Sequence, residues 1–191
     1  MGKIVVTEFI SLDGVIEDPG GSEDFEHGGW TFEIDRGTDG DKFKLDEVFE
    51  AEAQLFGRVT YEGFAEAWSS REGDGVMGEF AKQINTMPKY VYSKTLQDPS
   101  WQNTTVLSGD FAADIQRVKD EVDGVILVAG SATLAQGLID NDLLDELRLM
   151  VFPVVLGSGK RLFAASGKKP LTLSDAKTVG AGVQILTYQR P

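Results

Sequence analysis

The amino-acid sequence predicts an α/β protein with a mixed, mostly parallel central sheet, flanking helices and antiparallel strands at its C-terminal end. Three observations carry that expectation. Short apolar runs alternate with amphipathic helical segments as far as residue 140, the grammar of βαβ units. The run Ile4, Val5, Val6, Thr7 and Phe9 is nearly continuous and β-branched or aromatic, which suits an interior strand buried on both faces. After Asp145 the helical spacing stops, and strand-like runs at 146–152, 171–179 and 183–189 follow, the last two joined by Gly180-Ala181-Gly182.

The elements follow in order. The first strand ends at Ser11-Leu12-Asp13-Gly14, and residues 18–30 are Gly-rich and acidic, a long surface loop. Leu45, Val48, Phe49 and Glu52 repeat at helical spacing, and Ala53-Gln54-Leu55-Phe56 forms a short strand broken by Gly57. Thr60 is placed to cap a second helix carrying Phe64, Ala67 and Trp68, which the glycines of 69–75 end. Residues 76–87 are helical, Pro88 stops them, and strands are expected at 89–93 and 104–107. Phe111, Ile115, Val118 and Val122 make one apolar stripe of a helix. The most hydrophobic strand, Val125-Ile126-Leu127-Val128, leads through Ala129-Gly130-Ser131 into a helix with Ala135, Leu138 and Ile139. No repeat or linker divides the chain, so residues 1–191 are read as one domain.

Composition narrows the function. With 18 basic against 31 acidic residues the net charge is −13, a field that repels phosphate backbones and anionic lipid, so nucleic acid and membrane partners are not expected. The chain has no cysteine, which removes thiolate nucleophiles and cysteine-held zinc, and His27 is its one histidine, so neither a metal cluster nor a Ser-His-Asp triad is expected. The N-terminal apolar run is too short for a signal peptide or membrane span and is interrupted by Glu8, which makes the cytoplasm the expected location.

Junctions that run strand, glycine, helix are where α/β sheets bind phosphate, because free backbone N–H groups and the helix dipole point at the anion. One is Leu55-Phe56-Gly57-Arg58-Val59-Thr60-Tyr61-Glu62, where Gly57 admits a close ligand and Arg58 supplies a forked cation; its bland reading is an ordinary turn with a solvated arginine. Another is Leu127-Val128-Ala129-Gly130-Ser131-Ala132-Thr133, which a plain structural turn explains about as well. A third element of another kind, Val91-Tyr92-Ser93-Lys94, ends a strand with a hydroxyl and a cation, suited to a phosphate monoester; its bland reading is a solvated lysine. Gly157-Ser158-Gly159-Lys160-Arg161 lacks the spacing of a phosphate loop. Asp13, in a glycine-bounded turn at a strand's C-terminal end, is either a ligand-facing carboxylate or an Asx turn.

These segments, together with Leu144-Asp145-Glu146-Leu147, Pro153-Val154-Val155-Leu156-Gly157-Ser158-Gly159 and Leu162-Phe163, resemble the RibD C-terminal branch of the dihydrofolate reductase-like superfamily, the reductase part of riboflavin biosynthesis and its stand-alone relatives. The resemblance implies a dihydrofolate reductase-like three-layer fold with NADPH across the strand ends. Gly57, Arg58, Thr60, Ser93 and Lys94 would hold its phosphates, with Gly130, Ser131, Ala132 and Thr133 under the pyrophosphate. Asp13 would orient substrate or relay a proton, and Trp30 and Tyr61 would line the substrate pocket. The acid-bearing helix motif of true dihydrofolate reductases is not visible between residues 39 and 52.

The expected activity is an NADPH-dependent reductase acting on a C=N or C=O group of a pterin-like, ribosylamino-pyrimidine or carbonyl small molecule. The alternative is a non-catalytic nucleotide or small-molecule sensor or carrier on the same fold. A homodimer is expected, with Leu149-Met150-Val151-Phe152 as its apolar patch, or else as core.

Overall fold

The computed structural model describes residues 1–71, 73–163 and 167–191; residue 72, inside the predicted break at 69–75, lies outside them. The chain runs β1 (Lys3–Ser11), a 3-10 turn (Trp30–Glu33), α1 (Gly37–Glu50), β2 (Ala51–Gly57), α2 (Arg58–Trp68), α3 (Gly75–Thr86), β3 (Lys89–Tyr92), β4 (Thr104–Leu107), α4 (Phe111–Glu121), β5 (Val125–Ala129), α5 (Ala132–Asp140), β6 (Glu146–Phe152), β7 (Thr172–Val179) and β8 (Val183–Gln189). All the strands join one sheet in the order β4-β3-β2-β5-β1-β6-β8-β7.

The six strands from β4 to β6 run parallel; β8 reverses against β6, and β7 against β8. The reading of 146–152 as part of the antiparallel third needs correcting on one side. β6 pairs parallel with β1, from Val5↔Glu146 to Ser11↔Phe152, and antiparallel only with β8. The cause is α5, a crossover helix that returns the chain to the edge from which β5 started, so β6 must enter parallel.

β1 is buried on both faces, as its composition requires. Ile4, Val6 and Ile10 pack with Ile115 and Val118 of α4 and Leu134 and Leu138 of α5. Val5 faces the opposite layer, with Val48, Phe56, Tyr61, Ile84 and Trp101. The result is helix, sheet, helix. Of the apolar run expected to form a self-association patch, Met150 and Phe152 are at most 1% exposed and Leu149 6%, and Val151 is half-buried. The run lies mid-sheet, covered by β1, β8 and Trp30, so it offers no continuous apolar patch to a partner.

The 18–30 loop has no regular element before Trp30, but it is organised rather than loose. Asp18 is buried with φ +44; its Oδ1 accepts from Ser22 N–H at 2.6 Å and its carbonyl accepts from Gly29 N–H at 2.9 Å. The Trp30 indole N–H donates to Glu17 O at 2.9 Å and the Thr31 hydroxyl to Pro19 O at 2.6 Å, folding the loop back on its own stem.

Candidate functional site

Because β3, β2, β5 and β1 are neighbours and parallel, their C-terminal ends share one edge of the sheet. The 57–60, 93–94 and 130–133 segments follow β2, β3 and β5 directly, so the chain brings all three to that edge. Two of them are tied together. The Gly57 N–H donates to Ser131 Oγ at 3.2 Å, and the Thr60 hydroxyl donates to Gly130 O at 2.9 Å.

Thr60 therefore is not the cap of α2. Gly57 holds the cap position, Thr60 lies in the first turn, and its side chain reaches across to the next loop. Neither α2 nor α5 has a side-chain cap at its N-terminus. Both first turns thus keep backbone N–H groups for an anion, reinforced by two helix dipoles. The fit to a phosphate group is also steric. Gly130 has φ +68, a conformation side chains rarely adopt, and a Cβ on Gly57 would meet Ser131 Oγ at 2.6 Å. Ala132 is half-buried and Thr133 exposed in the first turn of α5.

The cations are more open. Arg58 is exposed, its guanidinium 3.4 Å from Glu62 along the helix. Ser93 is buried, and its Oγ accepts from the N–H groups of Thr95 at 3.1 Å and Leu96 at 2.9 Å, a local turn that leaves Lys94 exposed at its apex.

Asp13 is a clamp. Its Oδ1 accepts from the Ser11 hydroxyl at 2.7 Å and Leu156 N–H at 3.1 Å, its Oδ2 accepts from Gly157 N–H at 2.9 Å, and Arg161 lies 3.7 Å away. The Ser11 hydroxyl first, and the two amides after it, hold the carboxyl down to about 2. It is an anion throughout the neutral range, and it holds the 156–157 backbone rather than its own, so the structure shows no Asx turn at Asp13. The 157–161 segment finds its use here, with a Val15↔Arg161 bridge and hydrogen bonds from Ile16 N–H to Lys160 O and from Leu162 N–H to Gly14 O.

Trp30 and Tyr61 are enclosed, each 2% exposed. Trp30 packs edge-on against Phe152. Tyr61 lies between Phe56 and Trp101, its hydroxyl accepting from Trp101 N–H at 2.9 Å. Neither ring presents a face to a ligand in this conformation, because α2 turns Tyr61 inward and the organised loop covers Trp30.

Sequence reasoning passed over the acid at the floor of the edge. Glu8, near the end of β1, is 3% exposed, and its Oε1 is buried without a hydrogen-bond partner. Burial pushes the carboxyl up to about 8, against the pull of Lys44 and of the Ser131 and Gly130 amides and with the repulsion of Glu47. The signal was a carboxylate inside an otherwise apolar central strand, a placement rarely left without purpose. On the other face of β1, Lys44 of α1 contacts Glu47 at 2.6 Å and donates to the Thr7 hydroxyl at 2.7 Å, which itself donates to Glu47 at 3.0 Å. Arg148 of β6 extends that network to Glu146 at 2.6 Å and Glu50 at 3.0 Å.

Two cavities lie away from this edge, one of about 370 Å³ beside Ile139, Lys169 and Arg190 and one of about 290 Å³ beside Glu47 and Arg148. An extended dinucleotide lies along an open groove rather than inside an enclosed hollow, so the cavities are a poorer guide than the uncapped helix ends. Among the described residues no group of three or more His, Asp or Glu side chains could hold a metal ion, and no helix is long and apolar enough to cross a membrane.

The mixed sheet with its parallel core, antiparallel end and helices on both faces has the dihydrofolate reductase-like fold. Within it the chain belongs to the RibD C-terminal domain family, which it matches over residues 2–185. It is 26% identical over 187 residues to the uncharacterized protein YyaP of Bacillus subtilis (strain 168), covering 97% of this chain and 94% of that one. A putative riboflavin biosynthesis protein from Shewanella sp. PV-4 superposes with TM-score 0.77 at 19% identity, over 99% of both chains. Dihydrofolate reductase from Enterococcus faecalis, complexed with NADP(H) and RAB-propyl, superposes with TM-score 0.58 at 15% identity, over 98% of this chain and 96% of that one.

Proposed function

We propose that the protein is an NADPH-dependent reductase that reduces a C=N or C=O group of a small pterin-like, ribosylamino-pyrimidine or carbonyl molecule. The observation that carries this reading is the pairing of two uncapped helix N-termini, joined through Gly57, Thr60, Gly130 and Ser131, beside Lys94 on one sheet edge. The Enterococcus relative, which shares the fold, is complexed with NADP(H).

In this reading the amides of 58–60 and 130–133 bind the two linking phosphates, with Gly57 admitting them closely and Arg58 at their outer side. Lys94 takes the 2′-phosphate, since a phosphate monoester carries close to two charges at neutral pH and favours a cation at an exposed turn. When bound, NADPH supplies the hydride. The chain supplies position: the hydrogen bonds between the two turns hold the groove's walls in register before any ligand arrives, so little ordering remains to oppose binding. Asp13 contributes by fixing the 156–157 backbone over the end of β1, not by transferring a proton.

That last point favours one competitor, a nucleotide-binding sensor without turnover. Stopped-flow absorbance at 340 nm with bound NADPH and a panel of pterins, ribosylamino-pyrimidines and carbonyl compounds separates the two. Oxidation with any member of the panel supports the reductase; tight binding without oxidation across it supports the sensor.

Self-association is retained as a proposal, transferred from β6 to β7. That strand closes the sheet with one unpaired edge, and seven of its eight residues are exposed. Sedimentation showing only monomer at micromolar concentration would remove it.

A further inference from the structure

We propose that Glu8 is the proton-linked element of the nucleotide site: the Gly130 and Ser131 amides donate to a phosphate while Glu8 is a neutral acid and release it once Glu8 ionises. The inference rests on the cofactor reading above and adds to it a condition on binding.

The geometry starts from strand register. Thr7 pairs with Ala129, so one residue further on Glu8 and Gly130 are neighbours at the strand ends. Glu8 packs on the face that carries α5, opposite to Thr7, and the Gly130 and Ser131 amides are the groups that act on its carboxyl from that turn. Those are the amides that the cofactor reading gives to phosphate.

Among the described residues nothing else is free to neutralise the carboxylate. From α1, on the other face of β1, Lys44 is committed to the Glu47 carboxylate at 2.6 Å and to the Thr7 hydroxyl at 2.7 Å. From β6, Arg148 is taken by Glu146, Glu50 and, at 3.8 Å, Glu47. The turn between β5 and α5 offers amides only, and Oε1 has no partner at all. An ionised Glu8 would therefore draw on the same donors as the phosphate and repel it through a water-poor interior, where charges act strongly on one another. A neutral Glu8 does neither. Linkage is reciprocal: phosphate binding must raise the proton affinity of Glu8 by as much as ionisation weakens the phosphate.

The test is titration calorimetry of the full chain with NADPH from about pH 7.5 to about pH 9.5, above the range in which the 2′-phosphate itself titrates, in two buffers of unlike ionisation enthalpy. With the carboxyl near 8, the wild-type protein takes up roughly 0.7 proton per NADPH at about pH 8.5, and its affinity falls toward tenfold per pH unit above that. The E8Q variant, a permanently neutral analogue, binds without uptake and with affinity independent of pH. Lys89, which burial lowers to about 8, titrates in the same range but begins β3 at the opposite edge of the sheet, and E8Q leaves it untouched. Uptake that persists in E8Q, or wild-type affinity that is flat across the range, overturns the role of Glu8 and leaves the cofactor reading standing. No NADPH binding by the folded wild-type chain at any pH overturns both. Should E8Q fail to fold, carboxyl NMR of the wild-type protein with labelled glutamate decides: a glutamate titrating near pH 8 that moves upward with NADPH supports the proposal, and its absence overturns it.

Discussion

Replacing Asp13 tests whether that residue is a clamp or a catalyst. Asp13→Ala removes the acceptor for the Ser11 hydroxyl and for the Leu156 and Gly157 amides. Hydrogen bonds to a charged group contribute about 1.5 to 3 kcal/mol each, but the carboxyl is 19% exposed and water can replace part of what is lost. The expected destabilisation at neutral pH is therefore about 2 kcal/mol in total, a drop of roughly 4 to 8 °C in Tm for a chain of this size. Its pH dependence identifies the source. The folded carboxyl lies at about 2 against an ordinary 3.8, so its contribution is present in full above about pH 4 and is lost as the pH falls toward 2. The stability gap between wild type and D13A, read by urea denaturation, should shrink over that window and stay constant from about pH 5 to about pH 8. Asp13→Asn keeps one acceptor oxygen and should lose about half as much, with any turnover reduced no more than its loss of folded protein explains. A D13N protein of normal stability whose hydride transfer falls by orders of magnitude would refute the clamp and restore Asp13 to the chemistry.

Three further outcomes are expected. Lys94→Ala should weaken NADPH binding by about 1.5 to 3 kcal/mol and leave NADH nearly unchanged, since only one of the two carries the 2′-phosphate; equal losses in calorimetry would remove Lys94 from the site. Gly130→Ala places a side chain at φ +68, costing about 1 to 2 kcal/mol in urea denaturation, and should weaken NADPH further than stability alone explains; an unchanged Kd would detach this turn from the ligand. Lys89→Met should destabilise by roughly 3 kcal/mol, because the ammonium donates to the carbonyls of Asn85, Met87 and Gln102 and the variant buries those acceptors unpaired; a loss below about 1 kcal/mol would mean that water reaches them.

The strands were the most legible part of the sequence. The 104–107, 146–152 and 183–189 runs are strands with those limits, because each is bounded by turn residues and alternates or saturates in apolar side chains. The start of α1 was not legible: its first residues, Gly37, Thr38, Asp39 and Gly40, form a poor helix sequence that folds because Lys44, Glu47 and Val48 anchor the later turns. The partner of β6 was not legible either, since pairing with β1 is decided by the crossover of α5 and not by anything within 146–152. At the site, the turns after β2 and β5 were legible because strand, glycine and helix leave a local signature, whereas 93–94 was read only from its hydroxyl and its cation. The orientations of Tyr61, Trp30 and Thr60 were not legible, because each depends on what the fold brings against it. Glu8 was visible as an anomaly, but its meaning needed the neighbouring strand: a carboxylate in an apolar run becomes informative only when residues more than a hundred positions away turn out to be the amides beside it.

The position of β1 sets the order in which the molecule can be assembled. β1 lies between β5 and β6, the segments at 125–129 and 146–152, and pairs with neither β2, β3 nor β4. Residues 48–91 can cover one of its faces, but both of its hydrogen-bonding edges are completed by segments more than a hundred residues along the chain, non-local pairings that form slowly. A fragment cut between residues 129 and 146 leaves β1 paired on one edge, and one cut before residue 125 leaves it paired on neither, so the centre of the sheet closes in a single late step rather than strand by strand.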